Sequence, residues 1–331
     1  MQKNNKLLTH TLSVKKHAAA EFRGKSNGSA LISALFIMTL VAIAATAMST
    51  RLQLDIYRTR LTIMSDKLYL ASQAVSFWAM SELTHSKNQF TISDEFGKVL
   101  DFPKQFKSIY PDILLKGELY DLQSRFNLNN ISEQKYQLPF LHLLKQITPL
   151  NQQQREELRL ILNNWLTPYQ PGQDNEISLY YMKQKPPYYP AQQLMRSVSE
   201  FRLLKGISAK LYRRLLNQMT VLPESTPINI NTASRPVLTT LGYGLTTTQV
   251  NELIKARGKK GITNLKQITP ILKKLNIRDE QITLASQYFM SIARVSSADL
   301  NLTVYSVFKR NKDKKGQVSV SVISESFNTF G

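Results

Sequence analysis

Residues that could carry out acid–base, nucleophilic or redox chemistry are few in this chain, and none forms a catalytic pattern. The 331 residues include no cysteine, which excludes thiol nucleophiles, cysteine metal sites and thiol redox chemistry. The sequence contains no H-E-x-x-H, G-x-S-x-G, C-x-x-C or phosphate-binding P-loop motif, and its carboxylates are scattered. The sequence therefore predicts a protein that is not an enzyme.

One glycine-containing turn could instead bind phosphate through its backbone amides. Gly242 and Gly244 flank a tyrosine between two apolar segments, and this stretch resembles a helix-hairpin-helix unit. In DNA-binding units of that kind, hairpin amides and nearby basic side chains contact phosphates. A glycine pair more often only ends one helix and lets the next begin, so both interpretations stay open. The basic residues nearby are Lys255, Arg257, Lys259, Lys260 and Lys266.

The element with the strongest signal is an apolar segment near the amino terminus. Residues 30–48 are apolar except for Ser33, Thr39 and Thr46, and residues 26–50 carry no charge. A helix needs about 20 such residues to cross a bilayer. A signal peptide has a shorter apolar stretch followed by a small-residue cleavage site, whereas here helical periodicity continues. We therefore predict a retained transmembrane helix, with the basic residues before it in the cytoplasm.

Beyond this segment the apolar residues keep the spacing of an α-helix, recurring every three or four residues. The pattern predicts one helix from about Ser29 to about Leu83, with a single apolar stripe. The stripe implies half-burial, either on the protein's own sheet or against neighbouring helices. Its packing residues are Leu54, Tyr57, Leu61, Met64, Leu68, Val75 and Trp78.

The rest of the chain reads as strands that flank a helical region. Short runs of β-type residues lie at 98–106 and 113–122, and an alternating pattern at 300–323 predicts an antiparallel hairpin. Residues 139–282 read as short helices, one of them at 199–218, with one long loop at 167–190. The predicted fold class is α+β: a long amino-terminal helix packed on an antiparallel sheet, with a large all-α insert.

The amino terminus resembles a type IV prepilin or pseudopilin. A basic leader ends at Gly28 and is followed by the uncharged apolar helix. The resemblance implies cleavage by a prepilin peptidase between Gly28 and Ser29, followed by methylation of the new amino terminus. The alternative is a plain single-span anchor that is not processed. Net charge is +20, and the leader holds six basic residues and one acid, so the cleaved form would carry +15.

Three further features resemble the K-type minor pseudopilins of type II secretion. The fifth position after the cleavage site is Ser33, where most pseudopilins have a glutamate, and the K type lacks this acid. Residues 121–129 match the strand motif D-x-x-G-R-F-N-L-N, except that Ser124 replaces the glycine. The run from Phe201 to Ala233 is similar to paired helical, SAM-like modules of that family.

This resemblance implies a role at the tip of a pseudopilus, where the protein initiates assembly and supports export across the outer membrane. The implied partners are I-type and J-type minor pseudopilins, the major pseudopilin, prepilin peptidase and the inner membrane, with secreted substrates or the outer-membrane secretin as further candidates. The implied location is the inner membrane, single-pass, with the bulk in the periplasm. Nucleic acid is the less favoured partner, and the alternative function is a membrane-anchored helix-hairpin-helix receptor for DNA uptake.

The domain boundaries follow from the same reading. We expect a leader at 1–28, a transmembrane helix at 29–50, and the rest of the long helix with the first strands at 51–130. The two helical modules of the insert would occupy 131–222, which is SAM-like, and 223–287, which is also helix-hairpin-helix-like. The last strands would occupy 288–331.

The family resemblance also implies a calcium site, in an acidic loop of the insert after a Trp-Ile-Asp-x-Asp run. This chain has Trp165-Leu-Thr-Pro168 there, without the acids. Asp174 and Glu176 could still supply oxygens, but calcium usually takes 6–8 of them. We therefore expect no cofactor, with calcium as the alternative.

Overall fold

A single long helix begins the described part of the molecule. The structure is a computed structural model that describes residues 27–105, 111–170, 176–298, 300–313 and 315–329. Helix α1 spans Asn27–Thr84, as the apolar periodicity predicts, and no proline interrupts it. The chain divides into two compact units, one ending at Thr62 and the other beginning at Ile63.

The remaining elements are short. In chain order they are β1 (Lys98–Asp101), β2 (Leu114–Asp121), β3 (Phe126–Asn127), α2 (Gln137–Ile147), α3 (Gln152–Leu166), α4 (Glu176–Met182), α5 (Ala209–Leu215), β4 (Met219–Thr220), β5 (Ile228–Asn229), α6 (Arg235–Leu238), α7 (Thr247–Arg257), α8 (Thr269–Lys274), β6 (Ile282–Thr283), β7 (Tyr288–Ser297), β8 (Leu300–Lys312) and β9 (Val318–Phe327). Single 3-10 turns connect several of them.

Five strands form one antiparallel sheet in the order β1-β2-β7-β8-β9. The part of α1 from Ile63 onward packs on one face of this sheet. Leu68 and Val75 are buried there with Ala293 of β7 and Val304 of β8. Full burial of such a side chain contributes about 1.5–3 kcal/mol, so this layer holds helix and sheet together. The predicted fold class is confirmed in this unit.

The insert lies in sequence between β2 and β7 and has its own apolar core. One cluster of buried side chains runs through it, from Phe126 to Ile282. The predicted division of the insert after residue 222 stays a prediction, since residues on both sides of that point share this cluster. The insert also holds two parallel two-residue pairings, β3 with β4 and β5 with β6, that no periodicity could predict.

Two local predictions in the insert were wrong. Helix α4 lies inside the stretch expected to be a loop at 167–190. The helix expected over 199–218 is broken, because Gly206 adopts a φ of 83° between a 3-10 turn and α5. A positive φ is left-handed backbone, which glycine accepts and an α-helix does not.

Candidate assembly surfaces

The amino-terminal part of α1 has the length and composition of a membrane span. Its most apolar stretch has a mean hydropathy of 2.4 and no buried residue, and it is the one such helix in the described part of the chain. Leucine, isoleucine and phenylalanine side chains are exposed all round it, for example Leu31, Phe36 and Ile43. A helix that is apolar on every side and is not covered by protein suits a lipid environment.

The predicted processing residues lie at the start of this helix. Gly28 and Ser29 are exposed, and a Cβ added to Gly28 would meet nothing within 4 Å. The Ser33 hydroxyl donates to the carbonyl oxygen of Ser29 at 2.9 Å. The hydroxyl is therefore satisfied within the helix and needs no partner from another molecule. Residues 1–26 of the leader lie outside the described residues.

The predicted apolar stripe divides between the two units. In the unit that begins at Ile63, Leu68 and Val75 are buried against the sheet, and Trp78 packs edge-on against Phe102 at 5.4 Å between ring centroids. Met64 is half-buried. In the other unit, Leu54 and Tyr57 are 51% and 60% exposed, and Leu61 is half-buried. The stripe from Met64 onward thus faces the protein's own sheet.

A second apolar stripe lies on α1, and our reading of the sequence missed it. Ile63, Leu70 and Phe77 are 52%, 59% and 67% exposed and are spaced by seven residues. Seven residues are nearly two helical turns, so the three side chains share one face. At 100° per residue, that face lies roughly opposite Leu68 and Val75. We call these three residues the outer stripe. Their seven-residue spacing is present in the sequence, but the longer stripe on the other face of the helix dominates the apolar pattern.

The glycine turn of the insert is used inside the protein. The amide of Gly242 donates to the Gln281 side chain at 3.2 Å, and the amide of Gly244 donates to the Leu241 carbonyl at 3.0 Å. A Cβ on Gly244 would overlap the His142 ring, so the turn sits directly on α2. Burial lowers the pKa of His142, which Lys145 lowers further. The amides that would cradle a phosphate therefore already have partners.

The basic residues beside this turn serve different purposes. The Arg257 guanidinium donates to the carbonyls of Ile230 at 3.2 Å and Ala233 at 3.1 Å, and burial lowers its pKa. It thus ties α7 to the segment that follows β5. The other four predicted bases are exposed: Lys255, Lys259, Lys260 and Lys266.

A buried carboxylate joins the sheet to the insert. Asp121 ends β2 and is fully buried, and its oxygens accept from the Gln123 amide and from the side chains of Asn229, Thr232 and Ser286 at 2.5–2.9 Å. Burial raises the pKa of Asp121, and the four hydrogen bonds oppose that rise. Three of these partners, Asn229, Thr232 and Ser286, belong to the later part of the insert in sequence. The first residue of the strand motif at 121–129 therefore connects the sheet to the insert.

The asparagines of the same motif fasten the first part of the insert. Asn129 donates to the carbonyls of Met195 at 2.9 Å and Leu222 at 2.8 Å. Asn130 donates to the Thr226 carbonyl at 2.9 Å. Arg125 is buried, and its guanidinium lies 5.7 Å from the Tyr120 ring centroid. Burial of this cation lowers its pKa. The two asparagines thus connect segments that lie far apart in the sequence.

The described residues do not make a calcium site. Glu176 is exposed in the first turn of α4, and Asp174 lies outside the described residues. The Thr167 hydroxyl, next to Trp165, already donates to the Asn163 carbonyl at 2.7 Å. Across the described part of the chain, no three acidic or histidine side chains gather where they could hold a metal ion. The donors that the described residues offer fall short of the 6–8 oxygens that calcium usually takes, and the calcium alternative stays a prediction.

Comparison with known proteins identifies the family. Two family models described as type II secretion system protein K match residues 124–224 and 228–285. A Pseudomonas aeruginosa protein named type II secretion system protein K is 36% identical over 130 residues, which cover 39% of this chain and 38% of that relative. An Aeromonas hydrophila protein of the same name is 28% identical over 323 residues, covering 88% of this chain and 95% of the relative. The chain belongs to the family of type II secretion system protein K.

A solved structure of this protein K family shares the fold. The chain aligns with part of the crystal structure of the GspK-GspI-GspJ complex from the enterotoxigenic Escherichia coli type 2 secretion system. The TM-score is 0.65 at 20% identity, over 82% of this chain and 99% of that one. The likeness confirms the fold class predicted from the sequence.

Proposed function

We propose that this member of the protein K family acts as a minor pseudopilin in type II secretion, at the tip of a periplasmic pseudopilus. The apolar start of α1 would anchor it in the inner membrane, with the bulk of the chain in the periplasm. Once the leader is removed, α1 would leave the bilayer and join a bundle of similar helices. Ser33 supports a tip position, because it brings no buried charge into such a bundle.

The outer stripe is the observation that carries this proposal. One face of α1 is already occupied by the sheet, yet Ile63, Leu70 and Phe77 expose large apolar side chains on the other face. Exposed apolar residues in a row at seven-residue spacing are typical of a helix that packs against another helix. A helix that served only as a membrane anchor would need no such face in this unit.

The partners we propose for the outer stripe are the α1-like helices of I-type and J-type minor pseudopilins, followed by the major pseudopilin. The GspK chain of the related solved structure was crystallised with GspI and GspJ. The insert would then lie at the tip of the assembly. The protein would initiate the filament from that position. Secreted substrates and the outer-membrane secretin are further candidates for contact with the insert.

The test is co-purification of the full chain with its I-type and J-type partners from detergent-solubilised membranes. We expect the double variant Leu70→Glu, Phe77→Glu to lose the complex, since burying two unpaired carboxylates in a helix interface is costly. The control is Ser65→Glu, which adds one carboxylate, half the charge of the double variant, to an exposed position of the same helix near its sheet-facing side. Equal recovery of partners with the double variant and the control would refute this function for the outer stripe.

No observation favours the DNA-receptor alternative. The hairpin amides at Gly242 and Gly244 are satisfied internally, and Arg257 is committed to backbone carbonyls. The exposed lysines remain a basic surface, but a basic surface alone does not distinguish nucleic acid from an acidic protein.

A further inference from the structure

The two edges of the five-stranded sheet are not alike. The β1 edge is only four residues long, is irregular in register after Lys98, and carries a Lys98–Asp101 ion pair at 3.0 Å. Proteins commonly protect a sheet edge in these ways. The β9 edge is ten residues long, has neither lysine nor proline, and carries one charged residue, Glu325. The β9 edge therefore lacks most of the usual protection.

The hydrogen-bond pattern shows which backbone groups of β9 face outward. The Asp313 amide donates to the Gln317 carbonyl at 2.9 Å, which closes the hairpin between β8 and β9. In an antiparallel pair, bonded positions alternate with positions whose amide and carbonyl point away from the partner strand. Counting from Gln317, the groups of Val318, Val320 and Val322 point away from β8. An extended peptide segment could form main-chain hydrogen bonds with this row of outward-facing amides and carbonyls.

A groove adjoins the second half of this edge. It has a volume of 640 Å³ and lies between β9 and two loops of the insert, with Leu194, Val221 and Leu222 among its apolar lining residues. The register shifts between Val307 and Phe308 opposite β9, so that Ile323 is an extra residue in the strand. Ile323 lines the groove and is 42% exposed.

Charged side chains of both signs lie around this edge, but the carboxylates already accept hydrogen bonds, Asp313 from the Gln317 amide at 2.8 Å and Glu200 from the Arg196 amide at 2.8 Å. Lys312 and Lys315 are exposed at the turn before β9, and Arg196 is exposed at the groove. Within the described part of the chain, none of the three forms an ion pair, whereas Glu325 is held by Tyr69 and Gln73 of α1. An occupant with carboxylates near its ends would complement these cations.

The geometry points to β9 as a docking site for an extended acidic–apolar segment of another protein, which adds to the sheet as a sixth strand. Its backbone would lie about 4.8 Å from β9 and pair with Val318, Val320 and Val322. Alternate side chains would enter the groove beside Ile323. This surface is separate from the outer stripe, and the inference does not depend on pseudopilus assembly.

The experiment uses the full chain in detergent with a synthetic peptide in which valine and threonine alternate and two glutamates stand at each end. Amide hydrogen exchange is read with and without peptide. We expect the amides of Val318, Val320 and Val322 to become protected, while Ser319 and Ser321, already bonded to β8, change little. A peptide N-methylated at alternate residues should bind at least about tenfold more weakly, since several backbone hydrogen bonds are lost.

Two further measurements test whether the bound segment must be acidic and whether it binds by adding a strand to β9. Lysines in place of the glutamates should weaken binding about tenfold, and equal binding would overturn the acidic occupant. The Val320→Pro variant removes one outward-facing amide of β9 and should abolish the peptide's protection of the other valine amides. If the proline variant does not fold, the Val322→Lys variant is used in its place, because a lysine on a strand edge disfavours strand addition. Binding without protection of the three valine amides would refute strand addition. Dimerisation of the chain through β9 in the absence of peptide would show that the occupant is a second copy, and would also overturn the proposal.

Discussion

At the scale of single residues, polar groups in this molecule mostly serve to hold segments together. Asp121, Asn129 and Arg257 each bind groups far away in sequence. Gly244 matters because it has no side chain, which lets the turn after α6 pack closely against the ring of His142. An unsatisfied buried polar group costs about 1–3 kcal/mol, so such residues are sensitive to substitution even without a catalytic role.

The Gly244→Ala variant tests this close approach. Gly258→Ala is its matched control, since both glycines have positive φ but a Cβ on Gly258 would meet nothing within 4 Å. We expect Gly258→Ala to cost about 1–3 kcal/mol of unfolding free energy from backbone strain alone, because its φ of 59° and ψ of −164° form a conformation that essentially only glycine adopts. Gly244→Ala should cost about 1–3 kcal/mol more, because the new methyl group overlaps the His142 ring. Thermal or urea unfolding followed by circular dichroism measures both, and equal losses would mean that the turn yields easily.

At the scale of elements, α1 is one helix with different neighbours along and around it. Its first part is apolar on all sides, and from Ile63 onward it has a sheet-facing stripe and an exposed outer stripe. The edge strand β9 likewise has one side bonded to β8 and one side open. Elements with an unpaired apolar or backbone face are the ones that an assembly can use.

The start of α1 carries a prediction about processing. When the chain is expressed with a prepilin peptidase, mass spectrometry should find a methylated amino terminus at Ser29. Gly28→Val should leave the leader attached, because a branched side chain would stand at the cleaved bond, whereas Gly24→Val serves as the control and should be processed normally. A fully intact chain, or a product that begins at Lys25, would contradict the proposed cleavage site.

At the scale of the whole molecule, the unit that begins at Ile63 combines the sheet and the insert, and Asp121 connects them. The carboxylate sits where β2 leaves the sheet, and its partners include Asn229, Thr232 and Ser286 from the later part of the insert. Burial of an ionised carboxyl is costly, and the raised pKa of Asp121 indicates that the hydrogen bonds do not fully offset this cost. Stability should therefore depend on pH through this one group.

The comparison of wild type with Asp121→Asn tests that dependence, because asparagine does not ionise. A carboxyl whose folded pKa lies above the unfolded value stabilises the fold fully at pH values below the unfolded value, near 3.8. That contribution is lost as pH rises through the folded pKa. The stability of wild type relative to the variant should thus be greatest near pH 4 and should decline toward pH 7, measured by urea unfolding. An increase toward pH 7 would mean that the hydrogen bonds lower the pKa.

The fold class could be predicted from the sequence because it depends on local periodicity. The apolar run at 30–48 and the alternation at 300–323 indicate helix and strand without knowledge of any contact. Helix α4 was missed because its seven residues lie among prolines and tyrosines, and the break at Gly206 was missed because one left-handed residue leaves little trace in a pattern. The structural roles of Asp121 and Gly244 could not be predicted. Three of the four partners of Asp121 lie 108 residues or more away in sequence, and Gly244 contacts His142, about 100 residues earlier in the chain.

What the sequence determined by itself is the arrangement of elements along the chain: a membrane-length helix, flanking strands and a helical insert. Which surfaces are free was decided only by tertiary structure. The stripe that stands out in the sequence is covered by the protein's own sheet from Met64 onward, while the outer stripe and the β9 edge are left open. Burial depends on contacts between residues distant in sequence, and a local pattern records that a face is apolar but not what covers it.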